Sequence, residues 1–455
     1  MIAVALATWP AAAFAQAPTA PGAPAPDTTA PGARATPDSL SPDSLAARLA
    51  RAEAAIAALR QQMATESQST VHTRSRLQLD LTGMIITNAF YTSGRATSVD
   101  VPLVALAPSN ATETDAFGAT VRQTRLGGVV TVSQVLGGSF IGDLEIDFFG
   151  GVQNGPGDRR LFPEPRLRTT TATLRWSRTD LMVGSDVPLV SRLTPISVAA
   201  IGIPEFSGSG NLWNWLPQIR VTQRVATTPV ANTTLRWFVQ GSAMAPFAGA
   251  QYPGDPDLED AGERSGRPAL EARLSARWGD TTSTGATDAT IGESGGEIGI
   301  GVHHGWVDVA DAPLQNSSAF TADWRISFTP RVELRGEWYV GRLVRGLGGG
   351  GINQAFGKPI GNEPLGAPIN DNAGWGQLNA QFLTTLLGGA GCGLDVADLA
   401  DRPVRTRNTV CATYLLWRPS EPFFVGLEWR GVATKYDSGD TGRVRQLNLG
   451  LGFEL

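Results

Sequence analysis

LNLGLGFEL, residues Leu447–Leu455, alternates without a break: Leu447, Leu449, Leu451, Phe453 and Leu455 against Asn448, Gly450, Gly452 and Glu454. Successive strand residues point to opposite faces, so one face is wholly apolar and the other small or polar. A soluble sandwich strand tolerates this pattern. A membrane-spanning barrel requires it, because one face meets lipid and the other a wet lumen. The alternation runs to the last residue, which places the end of the strand at a membrane boundary.

The same period of two extends back through the chain from Leu77. Leu77, Leu79 and Leu81 alternate with Gln78, Asp80 and Thr82. Phe140, Leu144, Ile146 and Phe148 alternate with Ile141, Asp143, Glu145 and Asp147. Leu235, Trp237 and Val239 alternate with Arg236, Phe238 and Gln240, and Leu270, Leu274 and Trp278 with Glu271, Arg273, Ser275 and Arg277. Trp324, Ile326 and Phe328 alternate with Asp323, Arg325 and Ser327, and Val332, Leu334, Trp338 and Val340 with Arg331, Glu333, Arg335 and Glu337. One face stays polar over many strands, as a water-filled barrel needs. A soluble β-sandwich is disfavoured by the outward Leu, Trp and Phe.

Connections also alternate in length. Short turns fall at Leu136-Gly137-Gly138, Ser177–Asp180, Thr228–Ala231, Thr329-Pro330 and Arg418–Pro422. Long polar links fall at Ser93–Gly118, Gly151–Pro165, Val190–Leu216, Phe247–Arg267 and Val344–Ala373. Short periplasmic turns with long outer loops mark an outer-membrane barrel. Trp176, Trp278, Trp306, Trp338, Tyr339, Trp417 and Trp429 fit aromatic girdles at strand ends. Fifteen strands are clear. Both chain ends lie on the periplasmic side, which requires an even number. Counting the Gly-rich run Leu386–Leu394 as a short, weakened strand gives a sixteen-stranded antiparallel barrel, wide enough for an aqueous channel.

The chain has 455 residues, 42% of them hydrophobic, and a net charge of −5. No run of 18 apolar residues follows the N-terminus, so no membrane helix is predicted. Residues 1–15 are apolar and end in Ala13-Phe14-Ala15, a signal-peptide cleavage pattern with a mature start at Gln16. The usual basic leader segment is absent, and a disordered Ala-rich start is the alternative. Residues 16–40 are rich in Pro and Ala and read as a flexible tether. Ser41-Pro42-Asp43 then opens a helix over 41–66. Its Leu45, Leu49, Ala52, Ile56, Leu59 and Met63 form an a/d seam that calls for a partner helix. Self-association on the periplasmic side is one reading; a single helix resting on the barrel rim is the other. The barrel domain spans 74–455.

These segments resemble the DcaP-like trimeric porins, with a more distant similarity to phosphate-selective porins. The matching pieces are the heptad helix Leu45–Met63, the strand pair Arg168–Asp186, and the third loop ending in Trp213-Asn214-Trp215-Leu216-Pro217-Gln218-Ile219-Arg220. The hairpin Phe328–Arg342 and the run Arg405–Leu455 complete them. Leu455 departs from the aromatic last residue usual in such barrels. The resemblance implies a homotrimer in outer-membrane lipid, with one pore per subunit and the N-terminal helix in the periplasm.

Transport through such a pore depends on the width and charge of its constriction. The third loop, Val190–Leu216, is the candidate for folding into the lumen, with Arg192, Glu205 and Trp213 at the narrow point. Its apolar segment Ile196–Pro204 also suits a subunit contact or an outer cap. Alternation places Arg125, Arg175, Arg220, Arg224, Arg236, Arg273, Arg277, Arg325, Arg331 and Arg335 in the lumen. Asp143, Glu145, Asp147, Glu271, Asp323, Glu333 and Glu337 share that face. Of 37 basic residues only Lys358 and Lys435 are lysines. Arginine binds carboxylate or phosphate through two parallel bonds, so the ladder points to a passive channel for small hydrophilic solutes that prefers anions such as small carboxylates. The same charges paired across strands would only stiffen the wall. A structural outer-membrane protein with a plugged barrel, tethering the envelope through its helix, is the second reading.

Other functions find little support. Nucleic-acid binding is disfavoured by the acidic net charge and scattered Arg. Of three His, His72 precedes the barrel, and His303 and His304 point to opposite faces. Ser275 or Ser327 approaching His303 is the sole route to a hydrolase, and no motif supports it. Asp255–Asp260 reads as a solvated loop tip before it reads as a weak calcium loop. No metal or cofactor is implied. Cys392 and Cys411 are either one bridge or two thiols.

Overall fold

The computed structural model describes residues 70–72, 77–109, 115–151, 158–230, 233–250, 259–279, 295–309, 313–363 and 365–455. The expected signal peptide, tether and heptad helix (Leu45, Leu49, Ala52, Ile56, Leu59, Met63) lie outside the described residues, as does the start of the barrel domain at 74–76.

Among the described residues, eighteen strands follow in order. They are β1 (Thr70–His72), β2 (Leu77–Ser93), β3 (Ala116–Thr120), β4 (Arg125–Val135), β5 (Gly138–Gly150), β6 (Glu164–Arg175) and β7 (Thr179–Asp186). Next come β8 (Leu216–Val230), β9 (Thr233–Met244), β10 (Ala269–Gly279), β11 (Gly295–Val307), β12 (Gln315–Thr329) and β13 (Val332–Arg342). The last are β14 (Asn370–Leu383), β15 (Leu386–Ala397), β16 (Arg405–Ser420), β17 (Phe423–Tyr436) and β18 (Thr441–Glu454). β2 and β4 to β18 form a closed sixteen-stranded antiparallel barrel, sealed where β18 pairs with β2 from Arg445↔Ser93 to Glu454↔Met84. β3 continues the line of β4 along β2, so the two are one strand broken at residues 121–124.

Alternation explains the wall. Leu81, Leu144, Ile219, Val239, Leu274, Ile300, Phe320, Val340, Leu378, Leu415, Leu427 and Leu449 stand exposed on the outside, one from strand after strand. A continuous apolar belt of this kind is stable only against lipid. The inward partners on the same strands are polar and buried, among them Asn88, Asp147, Gln240, Arg273, Asp323, Glu337, Asn408, Arg430 and Asn448.

The Gly-rich run expected to be a short strand is a full one, β15, paired along its length with β14 and β16. Its glycines serve the interior. A Cβ at Gly393 would lie 2.2 Å from Ser209 O and 2.9 Å from Phe206 Cβ, so a bare backbone is needed for the third loop to pack there.

Cys392 and Cys411, directly opposite on β15 and β16, are joined as a disulfide. Gly393, Val410 and Ala412 beside them face inward, so the sulfurs face the outer apolar belt. A charged phosphine reductant should therefore leave the bond intact in the bilayer-embedded barrel and cleave it after urea unfolding. Maleimide labelling of the two Cys reads the result; rapid labelling of the folded protein would show that the bond is not covered by lipid.

Candidate functional site: the constriction

The connection from β7 to β8, residues 187–215, does not stay at the barrel mouth. It crosses the lumen and lies against the far wall. Leu189 N donates to Glu271 Oε2 on β10 at 2.6 Å, and Thr321 Oγ1 on β12 donates to Val190 O at 2.9 Å. Arg335 on β13 reaches Thr194 O, and Gln377 on β14 exchanges two 2.8 Å bonds with the backbone of Ile196. Val198 N donates to Glu428 on β17, and Asn88 on β2 donates to Val198 O at 2.8 Å. Gln123, in the break between β3 and β4, receives the N–H groups of Ile201 and Gly202. Backbone groups that a lumen loop would otherwise leave unpaired are thus met by wall side chains.

The underside of the loop is apolar and meets apolar inward positions. Ile196 and Val198 pack with Met84, Ile86, Leu387, Tyr414, Leu416 and Phe424. Phe206 packs with Trp375, Val410, Ala412, Val432 and Val444. Burial of this kind contributes roughly 25 cal/mol per Å² of apolar surface. The deepest polar anchor is the pair between Glu205 and Arg430, bidentate, with both side chains almost fully buried.

With the loop against one side, a cavity of about 430 Å³ remains against the other, lined by β4 to β10. The loop contributes Val187, Arg192 and Trp215. The wall contributes Asp143, Glu145, Arg168, Thr169, Thr171, Thr173, Arg175, Asp180, Asp186, Arg220 and Arg277, among others. Most of the charges are paired. Arg168 meets Glu145 at 2.5 Å and Asp147 at 3.1 Å, Arg175 meets Asp180 at 3.1 Å, Arg220 meets Asp186 at 2.8 Å, and Arg277 meets Glu297 at 3.1 Å. Arg192 lines the cavity with no ion pair or hydrogen bond among the described residues.

The other expected lining residues fall in different places. Arg273 is buried in the wall between Asp323 (2.6 Å), Glu297 (2.7 Å) and Gln240 (3.0 Å). Arg335 binds Glu333 at 2.5 Å, and Arg325 approaches Glu333 at 3.9 Å. Arg125 sits 3.6 Å from Glu145. Arg224 donates to Ser177 O and Arg236 to Gly279 O, both at the turn end. Glu205 does not face the opening: Arg430 holds it behind the loop at 1% exposure. Trp213 packs edge-on to Trp215 at 5.0 Å, donates to Ser207 Oγ, and lines a separate cavity of about 370 Å³ with Phe247 and Arg345.

Arg166, Arg168 and Trp215 are the residues that alternation missed. Opposite Glu145 and Ile146 the ladder skips Arg168, a bulge that turns Arg168 and Thr169 both toward the lumen. The Arg168 and Arg166 guanidiniums lie 4.4 and 5.1 Å from the Trp215 ring, fixing the loop's return.

His303 meets Glu271 at 3.1 Å and Ser317 at 3.2 Å, instead of Ser275 or Ser327. Ser317 Oγ donates to Leu343 O, Glu271 also holds Leu189, and the adjoining space is about 10 Å³. The trio acts as a strut for the loop. In the outer loops, Asp260 accepts from the N–H groups of Ala248, Ala250 and Gly262, a structural role in place of a calcium ligand. Lys358 and Asp437 pair between the loops after β13 and β17; the hydrogen bond from Lys358 holds the Asp437 carboxyl below its ordinary range.

The sixteen-stranded barrel shares its fold with solved outer-membrane channels. Its backbone superposes on the outer-membrane channel DcaP of Acinetobacter baumannii with a TM-score of 0.60, at 13% identity, over 85% of this chain and 100% of that one. The anion-selective porin from Comamonas acidovorans gives a TM-score of 0.50 at 12% identity, over 83% and 100%. No family model and no curated protein matches the sequence. The expected likeness to DcaP-like channels is thus present in the fold, at an identity too low for sequence matching.

Proposed function

We propose that this chain is an outer-membrane porin, a passive diffusion channel for small hydrophilic solutes that prefers anions such as small carboxylates. One observation carries the preference: Arg192, brought into the lumen by the third loop, lines the constriction cavity without an ion-pair partner among the described residues. The wall arginines around it are neutralised by their acids, so Arg192 is the cation left free to meet a passing anion. The fold likeness to a porin whose name states anion selectivity points the same way. The heptad seam Leu45–Met63 supports a homotrimer with its helices in the periplasm, exported by the signal at 1–15.

The test is reconstitution of signal-free protein in planar bilayers under a KCl gradient. Expected are current steps in groups of three and an anion-selective reversal potential that weakens at high salt, where the Debye length falls to about 3 Å at 1 M. Cation selectivity would remove the anion preference. Correctly folded protein without conductance would favour the tethering, plugged-barrel reading instead.

A further inference from the structure

The constriction holds a second unbalanced charge. Asp143 on β5 lines the same cavity as Arg192. It accepts a bond from Thr169 Oγ1 at 2.9 Å, and no Arg or Lys pairs with it among the described residues. Besides Arg192, the guanidiniums in the lining are committed elsewhere: Arg168 to Glu145 and Asp147, Arg175 to Asp180, Arg220 to Asp186 and Arg277 to Glu297. Pairing thus strips the cavity down to one free cation on the loop and one free anion on the wall. A half-buried carboxylate without a counter-charge is costly, and a solute ammonium would relieve it. Thr169, Thr171 and Thr173 add hydroxyls along the same wall, able to donate or accept.

We propose that the constriction is a subsite for small α-amino acids, with the carboxylate toward Arg192 and the ammonium toward Asp143. Acidic amino acids fit best, because their second carboxylate adds to the attraction of Arg192. This rests on the channel reading above and narrows its solute class. A simple anion engages only the Arg192 side. A zwitterion engages both.

Glutamate and glutarate differ only in the ammonium group. In planar bilayers containing the full chain, the concentrations that half-block the KCl current give their relative binding. Glutamate is expected to block at about twofold to fivefold lower concentration than glutarate, the scale of one partly screened ion pair. N-acetylglutamate should lose that advantage. Asp143→Asn should abolish it, Asp143→Glu should restore it, and Arg192→Gln should weaken glutamate and glutarate alike. Equal block by glutamate, glutarate and N-acetylglutamate in the wild type would overturn the subsite, whatever the variants do. A preference that survives in Asp143→Asn would overturn the role of Asp143. Absence of any KCl current from folded wild-type protein would instead overturn the channel reading, and the subsite with it.

Discussion

Arg192→Glu should turn the reversal potential in a KCl gradient from the anion side to the cation side. The reason is how the lumen charges are distributed. Arg168, Arg175, Arg220, Arg273, Arg277 and Arg335 each face a carboxylate within about 3 Å, so each contributes a dipole and little net field. Arg192 is the cation left without a carboxylate among the described residues, facing the unpaired Asp143 on the wall. Two unit charges 4 Å apart at an effective dielectric of 20 interact by about 4 kcal/mol, which bounds the effect on an ion passing in contact with this side chain. Arg192→Gln removes the charge and should move the reversal potential part of the way; the Glu variant inverts the charge and should carry it past zero. Selectivity of the Glu variant equal to wild type would mean that the paired ladder, and not the loop, sets the field.

Arg430→Leu should be the most destabilising change, at about 3–5 kcal/mol, because it leaves Glu205 buried without its partner. The same change should widen the channel. Glu205 holds the middle of the third loop to β17, next to the bonds from Ser197 Oγ and Val198 N to Glu428. With that anchor gone the loop loses its hold on the far wall, and the open-channel current should rise and become noisier. Arg430 also meets buried Glu428 at 3.2 Å, so converting all three, Glu205→Leu and Glu428→Gln with Arg430→Met, should recover most of the stability, since a buried ion cluster replaced by uncharged side chains of similar volume is often neutral. Urea titration followed by tryptophan fluorescence measures the first effect and single-channel recording the second. An Arg430→Leu barrel as stable and as quiet as the wild type would show that the apolar underside of the loop suffices to hold it.

The barrel was legible because its outer face has one requirement, apolarity at every second position, and residues such as Leu447, Leu449 and Leu451 meet it without exception. The inner face was harder to read because it serves two purposes. Where the lumen is wet it is charged, as at Asp143 and Glu145. Where the third loop lies on it, it is apolar, as at Val410, Ala412 and Leu416. Strand β16 is therefore apolar on both faces, and this doubling was the available signal for where a loop would settle. Alternation also loses count at bulges, which is why Arg168 escaped notice. Ion pairing across strands is not a property of any one segment. The isolation of Arg192 depends on pairs made by wall residues such as Arg168 and Arg220, and the capture of Glu205 on a residue 225 positions away.

One contact of the third loop bears on how such a molecule is made. Val198 touches Asn88 on β2 and Glu428 on β17, while Asn88 also donates to Asn448 on β18, so the loop lies across the line where the first and last barrel strands meet. A loop threaded in after sealing would have to pass a rim already occupied by other loops. The chronology of assembly therefore favours a barrel that wraps around its own constriction, with the bore set before the last seam is joined.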